Sequence, residues 1–270
     1  MILKLRLMAG SLAFACLCAS AAGQDATLTK EQIGEAIRSD DFSIPTPAEL
    51  MAALEKQGKL DWSSKFRAPI ATNYPSRAQL ALNLGTLVAD GFVAVAAEDS
   101  QQVKNLGKDI LQLAKNLGVT KEILMRGSSI TDFADNKQWD QLKEELEATQ
   151  NEVKESMRGS KDSELVTLVS VGGWARGVEV ISSYVAEHYT EASAKILRQP
   201  AIVNYLNTKM DLLPDKLRDD PKVKNARMKM MQMEMIVTFP REKAPSQEDV
   251  KKLADLAKEL VKDMAKKDTK

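Results

Sequence analysis

The residues with the most distinctive chemistry lie together in Val171-Gly172-Gly173-Trp174-Ala175-Arg176-Gly177, an arginine and a tryptophan among three glycines. A guanidinium is a planar fork of donors suited to gripping a carboxylate or phosphate with two hydrogen bonds. Glu179 follows Arg176 by three residues and Ser183 and Glu187 by seven and eleven, so the four share one helical stripe. An earlier apolar run offers a second stripe. At about 100° per residue, Gln79, Asn83, Thr86 and Asp90 fall within a band of roughly 60°. If the two stripes line a cleft, its ligand-binding residues are Arg176, Asp90, Asn83 and Glu179, with Trp174 as an apolar wall. A narrow polar stripe on an apolar helix is more often its solvent line, and that reading is favoured for both. A direct Asp90–Arg176 bridge is not expected, because Asp90 lies roughly 140° from the small-residue row Ala81, Gly85 and Ala89.

Other chemistries fare worse. His188 is the only histidine, and no Gly-x-Ser-x-Gly elbow accompanies it, so a serine hydrolase would be atypical. Glu187, His188 and Glu191 lack a second histidine and straddle a helix end, which argues against a metal site; no metal or cofactor is expected. The carboxylates of Glu144-Glu145-x-Glu147 and Asp132-x-x-Asp135 sit in charge-rich stretches, and with 5% aromatic residues there are few platforms for a sugar. Met228, Met230, Met231, Met233 and Met235 are soft thioethers of the kind that suit Cu(I). Since Met228, Met231 and Met235 share a helix face, core packing is favoured for them over an apolar groove or a copper site.

These residues must be positioned by helices. Thr29-x-x-Gln32 and Thr46-Pro47-Ala48-Glu49 are capping boxes, the first opening a helix to about Arg38 and the second one to about Gln57, ahead of Gly58. Leu60 to Tyr74 is irregular, pinned by Trp62 and Phe66. Helical patterns then cover Ser76–Glu98, a segment capped by Asp99 and ended by Gly118, and a short turn from Thr120 to Arg126. Gly127-Ser128-Ser129 reads as a loop before a short helix from Ile130. Lys137–Met157 carries a thin apolar stripe of Trp139, Leu142, Leu146 and Val153. Asp162 caps the central segment to about Tyr189, Thr190 caps the next, and Pro200 kinks or divides it before Leu213-Pro214. Pro221–Val237 and a last helix capped by Ser246 complete the chain. The last helix docks through Val250, Leu253, Ala257, Leu260, Val261 and Met264.

Three glycines in a helix cost roughly 2–3 kcal/mol, which a close helix crossing offsets. Gly173 and Gly177 have small-xxx-small spacing, and the expected partner is the row Ala81, Gly85, Ala89; the rival reading is a break at Gly172-Gly173, with two shorter helices around a backbone-lined site. Loops are short and no β-alternation is visible. The expected fold is an all-α, compact single-domain bundle of roughly ten helices over residues 24–270, with a possible subdomain break at Gly159-Ser160.

Residues 1–23 read as a signal peptide. Lys4 and Arg6 precede an apolar run from Leu7 to Leu17 and the small residues Ala19 to Gly23. Acylation of Cys16 or Cys18 is disfavoured, since neither has leucine three residues earlier. Both cysteines leave with the leader. Removing Lys4 and Arg6 from 38 basic side chains leaves 36 against 38 acidic, a net charge of about −2. Nucleic acid is therefore not an expected partner. No later run of 18 uninterrupted apolar residues suggests an integral span. The expected setting is periplasmic or secreted. The favoured reading is a non-enzymatic scaffold that binds an envelope protein. The alternative is a carrier of a small anionic or amphipathic ligand, and the third an atypical hydrolase.

Overall fold

Short polar side chains set the helix starts. Ser76, Asp99, Thr190, Asp220 and Ser246 each accept a hydrogen bond from a backbone N–H two or three residues on, meeting donors that a helix N-terminus leaves unpaired. Pro47, Pro200 and Pro221 stand at first helical positions, where a missing N–H costs nothing. Gly118 ends its helix with φ 85°, the left-handed conformation that glycine adopts freely.

The computed structural model describes residues 47–56, 58, 60–119, 126–158 and 163–267. The signal peptide, the capping box at Thr29, Thr46, the turn from Thr120, the Gly159-Ser160 break and the Asp162 cap lie outside these residues. In chain order the helices are α1 (Pro47–Glu55), α2 (Arg77–Ala96), α3 (Ser100–Leu117), α4 (Gly127–Asp135), α5 (Trp139–Arg158), α6 (Ser163–Glu187), α7 (Glu191–Lys195), α8 (Pro200–Asp211), α9 (Asp215–Arg218), α10 (Pro221–Val237) and α11 (Gln247–Ala265). No strand occurs among the described residues, and the all-α bundle is as expected. The loop expected at Gly127-Ser128-Ser129 is instead the first turn of α4.

The bundle is built around α2 and α6. Both are buried almost along their length and contact each other more extensively than any other pair. α6 runs through Gly172 and Gly173 without a break. A Cβ on Gly85 would stand 2.0 Å from the Val169 carbonyl oxygen, and one on Gly172 would stand 1.9 Å from that of Leu82. The backbones touch where side chains are absent. The expected close crossing is therefore present, with its tightest points at Gly85 and Gly172; a Cβ on Gly85 would also stand 2.7 Å from the Gly173 backbone nitrogen, whereas one added to Gly173 would meet the Gly85 carbonyl oxygen at an ordinary 3.5 Å.

By length and composition α2 and α6 are apolar enough to cross a membrane. Here 94% and 83% of their most apolar windows are buried in protein, the position of core helices. α11 docks its apolar stripe against α6 and α10, and every one of the six residues expected to dock is buried.

Candidate functional site

The glycine contacts bring the polar residues of α2 and α6 together. Arg176 Nε donates to Asp90 Oδ1 at 2.7 Å, Nη2 donates to the Lys65 carbonyl at 2.6 Å, and Nη1 lies 2.9 Å from Glu179 Oε2. Asp90 Oδ2 accepts from Arg67 Nε at 2.7 Å, and Arg67 Nη2 also donates to Thr86 Oγ1 at 2.8 Å. The direct Asp90–Arg176 bridge, not expected from helix angles, is thus formed. An arginine side chain is long enough to reach round its helix, and angular bookkeeping on Cβ positions ignores that reach.

The solvent-line reading of the α2 stripe is also corrected. Gln79, Asn83 and Thr86 are fully buried, and Asp90 is 6% exposed. The cover comes from two places that helix periodicity does not reveal. One is the segment before α2, including a 3-10 turn at Trp62–Lys65. The other is the C-terminus of α11. Asn83 Nδ2 donates to the Met264 carbonyl at 2.8 Å, and Gln79 Nε2 donates to the carbonyls of Met264 and Lys266 at 2.9 and 2.8 Å. The two amides satisfy acceptors that a helix C-terminus leaves open.

Arg176 is 3% exposed. Burial opposes its charge, but Asp90 and Glu179 outweigh that penalty and raise its pKa above the ordinary guanidinium value. Of the candidate residues, Arg176, Asp90 and Glu179 form one knot, while Asn83 serves α11. Trp174 points elsewhere, donating from Nε1 to buried Gln199 Oε1 at 2.8 Å. Arg67 completes the knot and was not anticipated. It is the sole arginine of the irregular Leu60–Tyr74 segment and follows the anchoring Phe66, which is the only signal the sequence offered.

A second feature has open space. An apolar cavity of about 380 Å³ lies among α2, α3, α4, α5 and α6. Its walls include Val88 of α2, Ile110 and Leu111 of α3, Ile130 of α4, and Leu146 and Val153 of α5. Val88 is the one residue between Ala78 and Val95 on α2 that is not buried, because it faces this space. Small residues help to keep it open. A Cβ on Gly107 would meet nothing within 4 Å, and one on Gly91 would meet only Ile110 Cδ1 at 3.8 Å.

Two buried polar atoms on α5, Thr149 Oγ1 and Gln150 Oε1, belong to lining residues and have no hydrogen-bond partner. Lys104 and the exposed Gln101 and Lys108 mark the rim. Lys104 pairs with Asp135 at 2.6 Å. His188 is exposed and stacks on Tyr184, ring centroids 4.5 Å apart, where α6 ends. No family model, curated protein or solved structure matches the chain, so its function has to be argued from this geometry.

Proposed function

We propose that the chain is an exported, non-enzymatic carrier that holds one amphipathic small molecule in the cavity among α2 to α6. The observation that carries this reading is the cavity itself: about 380 Å³ of apolar-walled space with two unpartnered polar atoms. Ligand sites are typically 300–1,000 Å³ clefts with mostly apolar walls and a few placed polar groups. A volume near the lower bound favours a single apolar tail. A buried polar atom without a partner is costly, and a ligand hydroxyl, amide or acid group would relieve Thr149 and Gln150. Lys108 at the rim favours an anionic or polar head. The basic n-region and apolar run before Ala19 support export of the chain.

The Arg176 knot supports the carrier differently, by fixing α6 against α2. Its donors already have partners, so it serves the ligand only by positioning. A scaffold for an envelope protein would need a surface rather than this cavity, and one experiment separates the two. The chain, purified without denaturant, is examined by native mass spectrometry and titrated with the apolar fluorophore N-phenyl-1-naphthylamine. The carrier reading expects a bound small molecule or saturable probe binding, weakened in Val88→Phe, whose ring projects into the cavity. A clean apo mass without probe binding would favour the scaffold, and unchanged binding by folded Val88→Phe would move the ligand elsewhere.

A further inference from the structure

α10 carries apolar residues on two opposite faces. Val223, Ala226, Met230, Met233 and Val237 form the buried face. Met228, Met231 and Met235 point the other way and are 55%, 49% and 82% exposed. The core packing expected for these three from their spacing is therefore overturned. The helix docks instead through the stripe that begins at Val223.

The outward row has particular chemistry. Positions i, i+3 and i+7 fall within roughly 60° of arc, and successive members are separated by about 5–6 Å at Cβ. Methionine is unbranched and flexible, so thioethers from above and below can converge on Met231. Leucine would supply the same apolar surface without sulfur. The surrounding charges are already paired. Arg218 pairs with Asp215, Arg227 with Asp211 and Lys224 with Asp219, while Glu234 accepts from Asn207. This rim offers little net field to a charged partner. Among the described residues no group of three His, Cys, Asp or Glu side chains is placed to hold a metal ion. Borderline and hard ions lack a ligand set in this region; a soft ion has three neutral sulfur donors.

We propose that Met228, Met231 and Met235 bind a single Cu(I) ion on the outer face of α10. The assignment is independent of what the cavity holds. Binding is simple coordination: the ion keeps its charge and oxidation state, and no proton is released, because a thioether has none to lose. That gives the site a signature. Ligation by histidine, thiolate or carboxylate weakens on acidification, whereas thioether ligation does not.

The test is anaerobic equilibrium dialysis against Cu(I), using the full chain with Cys16→Ser and Cys18→Ser to remove its only thiols. One ion per chain should be taken up, equally at neutral and mildly acid pH, with only sulfur neighbours in X-ray absorption. The triple variant Met228→Leu, Met231→Leu, Met235→Leu keeps the apolar row and should lose the ion without a change in melting. The variant Met230→Leu, Met233→Leu, altered on the buried face, should retain it. No uptake by the wild-type methionine row, equal uptake by the triple leucine variant, or uptake that collapses on acidification each overturns the assignment.

Discussion

Removing the Arg176 guanidinium would leave Asp90 and Glu179 facing a space from which water is largely excluded. Breaking a buried ion pair by deleting one partner typically costs about 3–5 kcal/mol, mostly the penalty of the charge left behind. Arg67 still holds Asp90 Oδ2, so Arg176→Met should fall near the lower end of that range in urea unfolding. Asp90→Asn leaves two guanidiniums without their shared carboxylate and should cost at least as much. If either variant unfolds at the wild-type urea midpoint, the knot does not position α6. The sequence identified Arg176, Asp90 and Glu179 as notable because of their types. It did not show that they meet, because their cover is a backbone carbonyl at Lys65 and an arginine in a segment without periodicity.

The helices themselves were more legible, since caps and breakers act within one turn. Asp99, Gly118, Thr190, Pro200, Pro221 and Ser246 all mark observed boundaries. Packing register was less legible. Small-xxx-small spacing led to Gly173 and Gly177, yet the closest approach falls on Gly172. On α10, reading only the methionines chose the wrong face; including Val223, Ala226 and Val237 would have chosen the buried one.

The crossing has a sharp consequence. Gly172→Ala places a methyl 1.9 Å from a backbone oxygen, which cannot rotate away as a side chain would. The loss should equal or exceed the 1–3 kcal/mol or so usual for overpacking. Gly107→Ala meets nothing within 4 Å in mid-helix and should instead gain about 0.5–1 kcal/mol. Thermal melts of the two variants should shift in opposite directions. A Gly172→Ala melt at or above that of the wild type would mean that the helices are not in backbone contact at Gly172.

At the scale of the molecule, the last helix is closed by residues far earlier in the chain. The carbonyls of Met264, Ala265 and Lys266 accept from Asn83, Gln79 and Tyr74, whose hydroxyl lies 3.2 Å from the Ala265 oxygen. Backbone acceptors leave no side-chain signature, so this closure could not be read from the sequence. It does make stability depend on pH. Burial pushes the Tyr74 phenol up to about 12, with Arg67 acting weakly in the opposite direction. In the unfolded chain a tyrosine ionises near pH 10 or so. Below that pH both states hold the proton and the contribution of Tyr74 is complete. Between the two values the unfolded state has lost its proton while the folded state keeps it, so stability falls as pH rises through about 12. Tyr74→Phe should lose about 1 kcal/mol at neutral pH with its hydrogen bond to Ala265. Its urea midpoint should then fall less steeply than the wild type's on alkalinisation. Parallel alkaline slopes for the two proteins would show that the phenol is not held in this closure.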